Sequence, residues 1–377
     1  MSLPAAAPVG PFATFDHRRR VENLRALLDE SNDDAWLFAD LTDIRWLTGF
    51  SGSNAWVVLR RTDLTLGTDA RYGERAASET AGSGAQVIVE QQRSKLNERR
   101  LQVLSGCASV ALDPATTTHS VWTELAKDVS LSARPSPIMA ARQVKDVAEV
   151  ERISAAAAAA DAALIEVESM LTVDNDQQVS EQEIRNQLEY RMRLHGADDR
   201  SYATIVASGP QQAARPHHEP NERVLVNGDT VIIDVGALVD GYHSDMTRSY
   251  VIGEPTDEQR HVYGLVCAAH QAGIAALRSG ITAHDVDAVC RDLATEAGYA
   301  DWYLHGTGHG VGLEIHESPF HSPSSSETIV AGNVVTIEPG LYREGFGGFR
   351  IEDLILVTED GSQSLTHAPK RPFPDQT

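Results

Sequence analysis

The segment VIIDVGALVDGYHSDMT, residues 231–247, constrains this chain more than any other stretch. Asp240-Gly241 between alternating apolar residues marks a two-residue hairpin, whose turn positions both need positive φ. A turn there pairs Val239 with Tyr242 and, counting outward, Gly236 with Asp245. Asp234 lies two residues from Gly236, so Asp234 and Asp245 project from one face as diagonal neighbours, roughly 7–8 Å apart at the backbone. That face belongs to strongly apolar strands expected to pack against helices, where two uncompensated carboxylates would be very costly. They need a metal, an arginine or a proton.

A second pair of acids follows in TIEPGLYREGFGGFRIED, residues 336–353. With the loop centred on Gly345, Glu338 and Glu352 fall opposite each other on paired strands and share a face. Each acid alone reads as a surface salt-bridge residue; four inside apolar strands do not. Four negative charges balance two divalent cations, which favours a dinuclear centre over one ion. Between the two pairs lies HGTGHGVGLEIHESP, with His305, His309 and His316 among four glycines. Neutral imidazole is the commonest metal ligand and also moves protons near neutral pH. Oxygen-rich ligation with one imidazole suits manganese, cobalt or iron better than a structural zinc.

The rest of the chain bounds the setting. From about Phe15 to Pro137, strand-like runs (AWLFA, AWVVLR, TLGTDARY, ASVALD) alternate with helical patterns, predicting an α/β domain over residues 1–140. Residues 142–171, alanine-rich and free of glycine and proline, predict one long helix opening a second domain, 141–377. Ser180 and Glu183 form a capping-box pattern for a helix that Gly196 ends; further helices are expected from Asp257 to Leu277 and from His284 to Ala297. Antiparallel hairpins alternate with these helices, an α+β layout with helices on one face of a sheet. A net charge of -22 disfavours nucleic acid and anionic membranes as partners. The start MSLPAAAPVGPFATFDHRRR lacks the pattern of a signal peptide, no run reaches the length of a membrane span, and three cysteines without CxxC spacing read as reduced thiols. A cytoplasmic location is expected.

With these residues in view, the chain resembles the Xaa-Pro peptidases of the pita-bread fold, relatives of methionine aminopeptidase and creatinase. The likeness runs through IVASGP, PHHEP, IIDVGALVDGYHSDMTRSY, HGTGHGVGLEIHESP, TIEPGLY and FRIED in the second half, and DIRWLTGFSGSNAWVVL and TDARYGERAASE in the first. It implies a C-terminal pita-bread domain preceded by a smaller α/β creatinase-type domain. It also implies two divalent metal ions, manganese first, with cobalt, iron or zinc as alternatives, held by Asp234, Asp245, His309, Glu338 and Glu352. Asp245 and Glu352 would bridge the ions. His305 and His316 would face the substrate, His217 would lie near the scissile bond, and Tyr342 and Arg350 would support the site. His218 has no matching role and is expected to be a surface histidine. The glycines of residues 306–312 are expected to let backbone approach metal and substrate.

The implied reaction is metal-assisted hydrolysis of the bond before proline, in which the cations lower the pKa of a shared water. Glu338 would shuttle the proton, and His316 or His217 would stabilise the oxyanion. Whether Arg350 takes part or only holds Glu352 stays open. The expected partners are proline-containing peptides and a second copy of the chain in a homodimer. Asp69, Arg71 and Tyr72 read equally as dimer-interface residues or as a strand-end salt bridge. A strict Xaa-Pro dipeptidase must pair the free proline carboxylate with a cation, which some family members place just after the HE motif. Here HESPFHSP has Phe320 and His321 there, so an aminopeptidase P-like activity leads and the dipeptidase follows closely. A metal-dependent lyase on the same fold is a weaker alternative. A creatinase-like non-peptidase is disfavoured because all five ligand positions are filled, and a nucleotide site because GTGHGVG does not satisfy GxGxxG in any frame.

Overall fold

The computed structural model describes residues 11–171 and 179–372; the ends assigned above to the two domains, 1–10 and 373–377, lie outside the described residues. Two compact units emerge, one spanning Thr14–Arg142 and the other residues 143–372 with 11–13. Among the described residues no helix is long and apolar enough to cross a membrane.

In the first unit six strands form a mixed sheet in the order Gln86–Glu90, Leu64–Asp69, Ala55–Arg60, Ala35–Phe38, Val110–Leu112, Leu131–Ala133. Leu37, Trp56, Val58, Val110 and Leu112 are buried together with Leu96, Leu104 and Leu125 from the helices. A Cβ on Gly67 would fall 2.1 Å from the Trp56 ring, so only glycine lets the indole lie across the neighbouring strand. The run expected as one strand over TLGTDARY stops at Asp69. There the Asp69 carboxylate accepts from the Arg71 backbone N–H and pairs both ways with the Arg71 guanidinium at 2.9 Å, closing a short 3-10 turn.

The second unit is helices against antiparallel strands. The long helix is shorter than expected, Val147–Val167, and a separate helix, Pro137–Gln143, precedes it. The break is chemical: the Asp146 side chain accepts from the Glu149 N–H and the Glu149 carboxylate accepts from the Asp146 N–H, a capping box that starts the helix at Val147. The poly-alanine face packs closely, with Ala156, Ala160 and Ala163 buried against Ile184, Leu188 and Val231. Helix Glu181–Leu194 begins at Ser180 as expected, and Gly196 follows its end at φ 97°. Helices Asp257–Ala276 and Ala283–Glu296 pack a second core, where Val266, Val286 and Cys290 meet Val335, Ile337 and Ile355. Two cores, each with its own helix pair, thus support the strands that carry the acids.

Candidate metal centre

The first hairpin turns at Asp240-Gly241, with φ of 46° and 77°. Val239 pairs with Tyr242, and the same register resumes beyond the Val235–Gly236 break to pair Asp234 with Thr247. Gly236 is obligatory here, since a Cβ would sit 2.0 Å from the Ser244 carbonyl oxygen and 2.8 Å from the Tyr202 ring. In the second hairpin Gly340 pairs with Arg350 and Ile337 with Asp353, so Glu338 and Glu352 stand opposite each other at the junction of the two ladders. The Glu352 N–H donates to the Thr247 carbonyl at 3.1 Å, and Ser249 and Arg350 exchange two further bonds. These links join the hairpins, so four acids far apart in the chain reach one place.

His309 joins them from the strand Gly308–Gly310. Ligand atoms of Asp245, His309 and Glu352, all buried, lie within 4.8 Å of one another. His309 Nε2 is 3.5 Å from Asp245 Oδ2 and 3.5 Å from Glu338 Oε1. Its Nδ1 donates to the Gly310 carbonyl at 3.0 Å, which leaves the Nε2 lone pair facing the carboxylates. This is the tautomer a metal ligand requires. Burial pushes the Asp245 and Glu352 carboxyls far above their ordinary range, and the charges of neighbouring acids push them further. Burial also raises Glu338, opposed in part by His305 and Arg350. Burial depresses His309, keeping its imidazole neutral. Acidic oxygens that resist ionising and a neutral nitrogen aimed among them are matched to a divalent cation, which would reverse the burial penalty.

Arg350, buried and held charged by the surrounding oxygens despite its burial, ties the cluster together. It donates to Asp234 Oδ2 at 2.5 Å and to Thr247 Oγ1, the Tyr342 hydroxyl and the Pro216 carbonyl at 2.9 Å each. It reaches Glu352 only through Thr247, whose hydroxyl donates to Glu352 Oε2 at 2.7 Å. The Tyr342 hydroxyl also meets His305 Nε2 at 2.9 Å. A cavity of about 640 Å³ opens on the cluster, lined by His217, His305, His309, His316, Phe320 and the four acids among others. The His316 ring centre is 4.5 Å from that of His309.

Gly306 and Gly308 line the cavity, and the glycines of this segment also serve strand contact: a Cβ on Gly308 would fall 2.0 Å from the Thr336 carbonyl oxygen, and on Gly310 2.4 Å from that of Ser318. His218, expected as a surface histidine, is half-buried and partnered; its Nε2 bonds the buried Glu181 at 2.9 Å. One participant escaped sequence reasoning altogether. The Tyr202 hydroxyl bridges Asp234 and Asp245, lying 2.5 Å from Asp245 Oδ1. Tyr202 sits ahead of the strand Ile205–Ser208 in an irregular stretch, where no periodicity points to the acids.

A family model described as metallopeptidase family M24 matches residues 151–359. The chain belongs to metallopeptidase family M24. The Creatinase/Prolidase N-terminal domain model matches residues 20–144 of this M24 peptidase, so the expected fold class holds. A Xaa-Pro dipeptidase of Pyrococcus furiosus is 31% identical over 353 residues, 93% of this chain and 98% of the relative. Among solved structures, the Xaa-Pro dipeptidase from Bacillus anthracis has a TM-score of 0.89 at 33% identity, covering 95% of this chain and 99% of that one. The X-Pro aminopeptidase from Thermotoga maritima has a TM-score of 0.85 at 31% identity, covering 94% and 99%. Membership implies divalent metal ions, and Asp245, His309 and Glu352 form a candidate site for them.

Proposed function

We propose that this M24 peptidase hydrolyses the bond before proline at the N-terminus of peptides, in the manner of an aminopeptidase P. Asp234, Asp245, His309, Glu338 and Glu352 would hold two divalent ions, manganese first, which when bound supply Lewis acidity and an activated water. Glu338, whose side chain lines the cavity, takes the proton from the attacking water and returns it to the prolyl nitrogen. His316 or His217, both lining the cavity, hydrogen-bonds the oxyanion that forms on the scissile carbonyl. Proline's ring fixes φ and its amide nitrogen carries no hydrogen, so a pocket for this bond must be shaped by its walls rather than by a donor to that nitrogen.

The observation that carries the aminopeptidase reading is the charge of the cavity wall. Among the described residues lining it, Arg350 is the one permanently charged cation, and its guanidinium is committed to Asp234, Thr247, Tyr342 and Pro216. Arg343, the arginine next to Tyr342 in sequence, pairs with Glu258 at 3.0 Å and does not line the cavity. A dipeptide would bring its carboxylate to a wall with no free cation. The second reading, a dipeptidase, is favoured by the dipeptidase names of the Pyrococcus furiosus and Bacillus anthracis proteins. Three free thiols, one of them the buried Cys290, support a cytoplasmic setting, and the family resemblance supports a homodimer.

The test is a parallel assay of purified, manganese-loaded protein on a Xaa-Pro dipeptide and a Xaa-Pro-Xaa tripeptide. Cleavage of the tripeptide before proline, with the dipeptide turned over far more slowly, is expected. Cleavage of the dipeptide alone would establish the second reading, and cleavage of neither would overturn both.

A further inference from the structure

The doubled histidine of PHHEP leaves one imidazole without a task in the proposed chemistry. His217 lines the cavity, while His218 bonds Glu181, the first residue of helix Glu181–Leu194 and fully buried. The Glu181 carboxylate is acceptor to four donors. Oε1 takes the Ser208 N–H at 2.8 Å and the Ser208 hydroxyl at 2.6 Å; Oε2 takes His218 Nε2 at 2.9 Å and the Asn221 N–H at 3.3 Å. On the other side of His217, the Pro216 carbonyl accepts from Arg350 Nη1 at 2.9 Å. His217 therefore stands between two buried anchors, and the Arg350 anchor also grips Asp234 of the acidic cluster.

We propose that His218 is a positioning residue: with Glu181 it fixes the backbone next to His217 and so sets where the His217 imidazole meets the substrate carbonyl. The proposal rests on the peptidase reading and deepens it. A carboxylate oxygen can only accept, so Nε2 carries the hydrogen and the bond persists whether the ring is neutral or charged. An irregular surface loop held at one end loses its geometry through conformational entropy; two anchors flanking His217 remove that freedom. Glutamine at 218 would present an amide N–H at the reach of Nε2, whereas alanine would not.

The experiment compares wild type, His218→Ala, His218→Gln, His217→Ala and the double variant His217→Ala/His218→Ala on a Xaa-Pro-Xaa peptide, with hydrogen–deuterium exchange across residues 216–222. His218→Ala is expected to lower kcat/KM by about tenfold to a hundredfold, the scale of a small misplacement of a reacting group. His218→Gln should recover most of that loss. In the His217→Ala background the further change to alanine at 218 should alter kcat/KM less than about twofold, because the effect runs through His217. Exchange at 217–221 should accelerate in His218→Ala and not in His218→Gln. An unchanged rate in His218→Ala, or an equal loss in both His217 backgrounds, would overturn the proposal. A wild type inert on every Xaa-Pro peptide would end the peptidase reading instead. Exchange would then decide the anchoring alone, and equal protection with and without the His218 ring would refute it.

Discussion

Arg350→Met removes the one guanidinium among Asp234, Asp245, Glu338 and Glu352, and the structure sets the size of the effect. Four donor contacts are lost, one of them to a buried carboxylate at 2.5 Å, from a side chain only 3% exposed. Breaking a buried ion pair by removing one partner costs about 3–5 kcal/mol. Proton uptake by the neighbouring carboxyls, whose proton affinity is already raised, caps the loss near the lower half of that range in the metal-free protein. For a unit of this size each kcal/mol shifts the melting temperature by about 2–4 °C, so a fall of about 6–16 °C is expected without metal. Bound divalent cations replace the missing positive charge, and the fall should then be roughly half as large. By linkage that difference must appear as metal binding tighter by about 2 kcal/mol, roughly thirtyfold. Turnover should collapse all the same, because Asp234 and the Pro216 carbonyl lose their clamp. Thermal melts with and without saturating manganese, together with a metal titration, measure each quantity. Equal melting shifts in both forms, or weaker metal binding by the variant, would show that Arg350 matters for ligand geometry and not for charge.

Tyr202→Phe deletes the hydroxyl shared by Asp234 and Asp245; the metal-free protein should lose about 1–3 kcal/mol in denaturant unfolding, and no loss would discount that bridge. His321 is fully buried and burial holds it down at about 4, against an ordinary 6.5. In that window the unfolded chain binds the proton and the folded one does not, so this contribution is complete above pH 6.5 and is lost as pH falls toward 4, by about 3 kcal/mol. His321→Leu should flatten the stability profile between those values, and an unchanged profile would contradict the assignment.

Much of the cluster was legible because its chemistry is written in short-range order. Asp240-Gly241 dictates a turn, the turn dictates register, and register places Asp234 diagonal to Asp245. The same reasoning, centred on Gly345, brings Glu338 opposite Glu352. The start of the long helix was legible too, in the Asp146–Glu149 box, but alanine content outweighed it in the reading. Contacts between segments remote in sequence were not legible. Tyr202 lies 43 residues from Asp245 and Glu181 lies 37 residues from His218, and neither pairing leaves a periodic trace. Two of the glycines of residues 306–312, Gly306 and Gly308, line the cavity, while the close strand contact at Gly308 and Gly310 leaves no local trace in the sequence.

The most direct measurement is an anomalous difference map from crystals of the wild type and of Asp245→Ala equilibrated with manganese. Two peaks per wild-type chain among Asp234, Asp245, His309, Glu338 and Glu352, absent from the variant, are the predicted result. Peaks elsewhere with none at this cluster, or an occupancy indifferent to Asp245, would contradict the assignment of these five residues as the metal site.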